Sequence, residues 1–175
     1  MSFKYKALII TPIVFILDQL TKLLVIKEIP LYNKIQIIPG YFDLVHYQNP
    51  GAAFGMFTNM PDWLRQPFFY SIAVVVSIML LYFLFKLSAK SRLLPVAIAL
   101  IFGGMAGNIM DRIRLGVVTD FLSFHIKDQI LQFSVFGKFF SIQLDWPAFN
   151  VADSAITIAM FLLLISAFKP ERREL

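Results

Sequence analysis

Four long runs of apolar residues follow one another along the chain, at residues 7–26, 67–85, 93–110 and 148–168. Each run has about the 20 residues that an α-helix needs to cross a hydrocarbon core roughly 30 Å thick. The runs are apolar on nearly all sides, so a single amphipathic stripe packed on a soluble core does not explain them. The pattern therefore predicts four transmembrane helices.

The two longer connecting segments, residues 27–66 and 111–147, carry a different pattern. Short β-like runs occur at residues 34–38 and 41–47. Two aromatic and β-branched runs within residues 130–144 flank Gly137-Lys138, which is typical of a hairpin. We therefore expect one integral-membrane domain over residues 1–175, an all-α membrane protein with a small extracytoplasmic β-structure and hairpin.

Composition narrows the class of protein further. Hydrophobic residues make up 58% of the chain and charged residues only 15%, against roughly 25% charged residues in ordinary soluble domains. This balance excludes a disordered chain and most soluble enzymes. The absence of cysteine excludes disulfides, thiol nucleophiles and zinc-thiolate sites, and two histidines leave little room for a histidine-rich metal site.

The basic residues are distributed unevenly, and this predicts the orientation in the membrane. The N-terminal tail, the link around residues 86–92 and the tail at 169–175 hold eight of the sixteen Lys and Arg residues, but two of the eleven acids. Cytoplasmic segments carry such an excess, so both termini are expected inside and segments 27–66 and 111–147 outside. The net charge of +5 is thus a topology signal, in contact with the lipid bilayer, and not evidence for a nucleic-acid partner.

The first apolar run is interpreted as a retained helix. Lys4 and Lys6 precede it, as in a signal peptide, but no small-residue cleavage site follows it and Asp18 lies inside it.

Charged side chains at membrane depth are costly, so each of them needs a reason. Following the helix directions from one span to the next brings six of them to one depth, near the outer membrane–water interface: Asp18, Lys22, Asp111, Arg112, Asp120 and Asp153. Asp18 and Lys22, spaced i, i+4, either neutralise each other or support a site. Asp111-Arg112 is either an interfacial stop after an apolar run or part of that site.

Three asparagines lie close to these charges in the sequence. Asn108 and Arg112 share a helix face after a glycine-rich stretch, and both would seek acceptors such as carboxylates if buried. Asn150 either caps the fourth helix or lines a site. Asn49 begins an Asn-Pro-Gly tract, which forms a turn and also presents Asn49 if a substrate binds there.

Asp120 and Asp153, brought to one depth from adjacent helices, suit a carboxylate dyad. Two neighbouring carboxyl groups share one proton, so that one activates water and the other binds the carbonyl under attack. This chemistry hydrolyses an amide without metal, serine or cysteine. The alternatives are a small ion- or proton-coupled transporter, against which no chain of ionisable groups crosses the bilayer, and a non-catalytic scaffold.

Five short motifs occur in order along nearly the whole chain. They are Asp18-Gln19-Leu-Thr-Lys22, Asn49-Pro50-Gly51-Ala52-Ala53-Phe54-Gly55, Gly107-Asn108-Ile-Met-Asp111-Arg112, Gly116-Val-Val-Thr-Asp120-Phe121 and Phe149-Asn150-Val-Ala152-Asp153-Ser154. With four matching spans, the chain resembles the bacterial lipoprotein signal peptidases (signal peptidase II), a family of membrane aspartic peptidases.

The resemblance implies a function and a set of site residues. The family cleaves prolipoprotein signal peptides before a diacylglyceryl-modified cysteine, at the extracytoplasmic face of the bacterial cytoplasmic (inner) membrane. It has four transmembrane helices and a β-cradle, needs no cofactor or metal, and is inhibited by the cyclic peptide globomycin. By motif, Asp120 and Asp153 are catalytic, and the substrate-binding and supporting residues are Asn49, Asn108, Arg112, Asn150, Asp18, Lys22 and Asp111. The segment 121–146 departs from the family in being longer than usual.

Overall fold

The computed structural model describes residues 2–52, 55–88, 91–136 and 138–168. Several residues used above lie outside the described ones: Ala53 and Phe54 of the Asn-Pro-Gly tract, Lys90 of the basic link, Gly137 of the predicted hairpin, and the charged tail at 169–175.

Within the described residues, four helical segments are long and apolar enough to cross a membrane, as predicted. A short helix α1 (Phe3–Lys6) continues through a 3₁₀ turn (Ala7–Ile9) into α2 (Ile10–Glu28). The other three are α3 (Asp62–Lys86), α4 (Leu93–Leu115) and α5 (Val151–Phe168). Outward-facing apolar side chains on these helices are exposed, for example Val75 and Phe161, as expected for helices that lipid surrounds.

The helix bounds differ from the predicted ones by a few residues, for local reasons. Helix α3 begins at Asp62 and takes up Pro67 in its interior. Helix α4 continues past residue 110 until Gly116, whose φ of 76° closes the helix with an N–H bond to the carbonyl of Arg112. Helix α5 begins at Val151 because Phe149 instead forms a β-bridge with Leu122.

The chain divides into two compact units. The helical unit comprises residues 1–21, 60–116 and 151–175, and the sheet unit comprises residues 22–59 and 117–150. These are units of packing, and the single-domain organisation stays a prediction from the sequence.

Glycines on α4 bring its backbone against the neighbouring helices of the helical unit. A Cβ on Gly103 would lie 2.9 Å from the Thr11 carbonyl oxygen on α2, and a Cβ on Gly104 would lie 2.5 Å from the Ala152 carbonyl oxygen on α5. No larger residue fits at these positions without displacement of backbone. Helix α4 is accordingly the most buried of the four spans.

The N-terminal segment lies at the end of the helical unit where α3 stops. The Lys4 ammonium donates hydrogen bonds to the carbonyl oxygens of Phe85 and Leu87, at 3.2 and 3.1 Å. A cation at the C-terminus of a helix is stabilised by the last carbonyl groups. The N-terminal segment and the link after α3 therefore share one end, and the face of the membrane that this end occupies stays a prediction.

In the part of the sheet unit that the structure describes, four antiparallel strands pair in the order β1-β2-β3-β4. They are β1 (Lys34–Ile38), β2 (Phe42–Asn49), β3 (Val118–Val135) and β4 (Lys138–Asp145). Strands β3 and β4 form the predicted hairpin, with Val135 opposite Lys138 at its last rung. The rings of Phe42, Phe124 and Phe149 stack at 4.6 and 5.8 Å between centroids and attach residue 149 to the sheet.

Candidate active site

Asp120 is the third residue of β3 and lies opposite Tyr47 of β2. Its side chain is buried, with 4% of the residue exposed. Both carboxylate oxygens accept hydrogen bonds from side-chain amides: Oδ2 from Nδ2 of Asn49 at 3.1 Å, and Oδ1 from Nδ2 of Asn150 at 2.8 Å. Two donors from different segments therefore orient this carboxyl group.

The side chain of each of these two asparagines makes a further hydrogen bond to the backbone. Asn49 ends β2, and its Oδ1 accepts the backbone N–H of Gly51 at 2.9 Å, so the Asn-Pro-Gly turn itself aims Nδ2 at Asp120. Asn150 is fully buried, and its Nδ2 also lies 3.3 Å from the Thr119 carbonyl oxygen. Asn49 thus forms a turn and also belongs to the candidate site, because the turn positions its side-chain amide.

Asp153 is the third residue of α5, in the first turn of that helix, and is half-buried. Its Oδ1 accepts a hydrogen bond from Nδ2 of Asn108 on α4 at 2.8 Å. A carboxylate in the first turn also suits the positive end of the helix dipole. Asp153 thus lies on α5, and a residue of the neighbouring helix α4 orients its carboxyl group.

Arg112 lies one turn after Asn108 on α4 and is buried. Its Nη1 donates to the Asn108 carbonyl oxygen at 3.3 Å. Its guanidinium carbon lies 4.2 Å from the ring centroid of Phe69 on α3, a cation–π contact. The sequence gives no signal that separates Phe69 from the other aromatic residues of this apolar helix.

Asp18 is fully buried and holds the beginning of α5. Its Oδ1 accepts the backbone N–H of Ala152 at 2.9 Å, one residue before Asp153. The first N–H groups of a helix have no partner within the helix, and an acidic side chain is a favourable acceptor for them. Oδ2 occupies the space that a side chain on Gly107 would fill.

Gln19 is a residue of this region that our sequence analysis missed. Its Nε2 lies 3.1 Å from Oδ1 of Asp111 and 3.2 Å from the Gly107 carbonyl oxygen, and its Oε1 lies 3.4 Å from Nη1 of Arg114. The available signal was a second polar residue directly after Asp18 within an apolar run.

The predicted site residues therefore fall into two groups. In the sheet unit, Asn49 and Asn150 meet at Asp120. In the helical unit, Asn108 bonds Asp153, and Asp18 bonds the N–H of Ala152 at the start of α5. Arg112 bonds the Asn108 carbonyl oxygen, and Asp111 bonds Gln19. Lys22 is buried one helical turn after Asp18 on α2.

Both groups consist of carboxylates aimed by amide or backbone N–H donors, an arrangement suited to acid–base chemistry. Within the described residues, no three His, Asp or Glu side chains are grouped so that they could hold a metal ion.

Residues 10–169 match the sequence model of a family described as "Signal peptidase (SPase) II". A lipoprotein signal peptidase from Geobacter metallireducens is 38% identical over 166 residues, covering 95% of this chain and 92% of the relative. A lipoprotein signal peptidase from Alteromonas mediterranea is 42% identical over 160 residues, covering 91% of this chain and 79% of the relative.

Solved structures share the architecture. A bacterial membrane enzyme determined by the in meso method at 2.3 Å resolution superposes with a TM-score of 0.77 at 29% identity, over 97% of this chain and 92% of that one. A second bacterial membrane enzyme, at 1.9 Å resolution, gives a TM-score of 0.73 at 30% identity, with 94% of each chain covered.

Proposed function

The chain belongs to the signal peptidase II family of aspartic peptidases, and from that premise we propose that it removes signal peptides from diacylglyceryl-modified prolipoproteins. Cleavage occurs just before the lipidated cysteine, with Asp120 and Asp153 as the catalytic pair. The transporter and scaffold alternatives are set aside, because the family is one of hydrolases.

The orientation of the two aspartates by asparagine amides is the observation that carries this proposal. Asp120 accepts from Asn49 and Asn150, and Asp153 accepts from Asn108, at 2.8 to 3.1 Å. An amide N–H is a donor only, so each contact requires an acceptor oxygen on the carboxyl group and limits its rotation. The restrained orientation of both carboxyl groups supports a catalytic role for them.

The covalent chain also limits how far apart the two aspartates can be. Asn150, which bonds Asp120, precedes Asp153 by three residues. Three residues span roughly 10 Å between Cα atoms even when fully extended. A cooperating pair is therefore compatible with the length of this connection.

In the proposed reaction, Asp120 and Asp153 share one proton. The ionised carboxylate takes a proton from a water molecule, whose oxygen attacks the scissile carbonyl carbon. The protonated partner donates a hydrogen bond to the carbonyl oxygen as negative charge develops there. Proton transfer to the departing nitrogen then breaks the C–N bond and leaves the lipidated cysteine with a free amino group.

Conservative replacement of each aspartate tests the pair. Asp120→Asn and Asp153→Asn keep the size of the side chain but remove the titratable group, so we expect cleavage of a purified lipidated precursor to fall about 100-fold or more. Asp145→Asn is the matched control, because Asp145 is an exposed aspartate at the end of β4. Near-normal cleavage by either of the first two variants, with unchanged melting, contradicts the dyad.

The modified cysteine and the family inhibitor define the specificity test. We expect cleavage of a precursor bearing the diacylglyceryl group, no cleavage of the same precursor without it, and competition by a globomycin-type cyclic peptide. Equal cleavage of both precursors contradicts the proposed substrate class.

The protein is a multi-pass membrane protein, and we place it in the cytoplasmic (inner) membrane with both termini inside and the active site at the outer face. The excess of Lys and Arg in the tails and the α3–α4 link supports this orientation. Single cysteines at Ser2 and Gln36 of this cysteine-free chain test it. A membrane-impermeant maleimide should label position 36 and not position 2 in intact spheroplasts, and the reverse result overturns the orientation.

A further inference from the structure

The tip of the β3–β4 hairpin carries two almost fully exposed phenylalanines. Phe136 directly follows the last strand pair of the hairpin, Val135 opposite Lys138. The relative accessible surface of Phe136 is 102%, so the residue is fully exposed. Phe139, opposite Ser134, is 90% exposed. Both belong to the segment 121–146, which the resemblance to the family predicts to be longer than usual.

Phe136 also adopts a backbone conformation that disfavours it. Its φ is 49°, in the left-handed region that bulky residues rarely occupy. The first position of a two-residue hairpin turn normally takes Asn, Asp or Gly for this reason. An aromatic side chain that stays exposed in such a disfavoured backbone conformation would be stabilised by an apolar partner outside the hairpin.

The chemistry of the tip favours one partner. Residues 129–144 contain a single charged residue, Lys138, and no acid. An apolar tip with one positive charge matches the interfacial region of a bilayer with anionic lipids, where aromatic rings and basic residues concentrate.

The chain connection points to the same partner. Strand β3 begins at Val118, shortly after α4 ends at Leu115, and β4 ends at Asp145, shortly before α5 begins at Val151. Both strands are therefore tethered within a few residues of helices that can cross a membrane. The hairpin thus belongs to a chain that crosses a bilayer elsewhere, which makes lipid an available partner for its tip.

We propose that this hairpin tip is a membrane-insertion element, with the side chains of Phe136 and Phe139 in the headgroup and acyl boundary of the bilayer. The tip thus contacts lipid in addition to the contacts that the four helices make. The strand that bears the tip also bears Asp120 near its other end, so insertion restrains the segment that carries that residue.

The absence of cysteine allows a single fluorescent reporter at Ser134, which is exposed on the hairpin and leaves both phenylalanines intact. Ser134→Cys, labelled with an environment-sensitive dye, is reconstituted in vesicles of phosphatidylethanolamine and phosphatidylglycerol. We expect quenching by lipids that carry a spin label on the acyl chain, and protection from aqueous iodide. Both should be lost when Phe136→Ser and Phe139→Ser are added.

Gln36→Cys on β1 is the matched control, since Gln36 is an exposed polar residue of another strand. Equal iodide access at positions 134 and 36, without quenching by labelled lipid, overturns the proposal. So does self-quenching of the dye at position 134 that disappears on dilution with unlabelled protein, because the tip would then contact a second copy. The measurement needs no cleavage, so its outcome is independent of the proposed peptidase activity.

Discussion

Asp120 and Asp153 are held by the same kind of donor, an asparagine amide, but on different kinds of scaffold. Asp120 lies on a strand, and its two donors come from the end of β2 and from the residue before α5. Asp153 lies on the first turn of a helix, and its donor Asn108 comes from the neighbouring helix α4.

The difference shows what each aspartate depends on. The orientation of Asp120 depends on strand register and on a turn, because Asn49 bonds it from the end of β2 while the Oδ1 of Asn49 accepts the N–H of Gly51 in the turn. The position of Asp153 depends on the close approach of helices, which Gly104 and Gly107 permit by lacking side chains. Mutations near Asp120 should therefore act through the geometry of the turn and of the asparagine amides. Mutations near Asp153 should act through helix packing.

Among the residues that position the two aspartates, the largest effect is expected at Asn150, in the sheet unit. Asn150→Ala removes the 2.8 Å hydrogen bond to Asp120, and a hydrogen bond to a charged group contributes about 1.5–3 kcal/mol. If that bond matters fully in the transition state, kcat/KM falls about 10- to 100-fold. Asn59→Ala, at an exposed asparagine of the same unit, is the control. Unchanged turnover with unchanged melting would show that Asn49 alone suffices.

Asp18 tests the helical side of the comparison. Asp18→Ala leaves the N–H of Ala152 without this acceptor at a buried helix start, which costs about 1–3 kcal/mol in the free energy of unfolding. Asp18→Asn retains an acceptor oxygen and should recover most of the loss. Denaturant titration in detergent measures both variants, and equal stability of the two would contradict a role as acceptor.

A replacement of Phe69 tests how much the orientation of the Arg112 guanidinium contributes to cleavage, separately from the charge of Arg112. Phe69→Leu keeps an apolar side chain but removes the cation–π contact at 4.2 Å, worth about 0.5–2 kcal/mol. We expect a modest loss of cleavage, smaller than that of Arg112→Ala. The control is Phe85→Leu, at an exposed position of the same helix. If Arg112→Ala is well folded and fully active, neither contact contributes to the reaction.

Gln19 gives the smallest expected effect. Gln19→Ala removes contacts to Asp111 and to the Gly107 carbonyl oxygen at 3.1 and 3.2 Å. These contacts are longer than the 2.8 Å bond of the buried Asn150, and Gln19 is only half-buried, so we expect a contribution of about 0.5–1.5 kcal/mol. Gln36→Ala, at an exposed position, should change stability by no more than about 0.5 kcal/mol. Thermal unfolding in detergent compares them, and equal melting of both variants would leave Gln19 without a structural role.

Much of the architecture could be predicted from the sequence because it depends on local or periodic signals. The four apolar runs predicted the four helices, and Gly137-Lys138 between two β-branched runs predicted the hairpin. One error in the helix bounds, at the start of α5, lies where tertiary pairing overrides composition. Residues 148–150 read as helix, but Phe149 bonds with Leu122 instead.

The sequence predicted the hydrogen bonds of the candidate site less well than it predicted the helices and the hairpin. The sequence identified the amides and carboxylates, but not that Asn150 bonds Asp120 or that Asn108 bonds Asp153. Phe69 escaped notice because nothing in its neighbouring residues distinguishes a contact across helices. Gln19 was overlooked as a site residue although it is a polar residue within an apolar run.

The sequence by itself determined that the chain is a membrane protein with four apolar spans, a basic set of tails and links, and a small set of polar residues among them. Hydrophobicity and charge act on each segment separately, so these properties can be read one segment at a time. Only the tertiary structure decided which donor faces which carboxylate. That choice depends on contacts up to 134 residues apart, such as Asp18 with the N–H of Ala152, and a hydrogen bond of this kind exists only where packing brings both groups within about 3 Å.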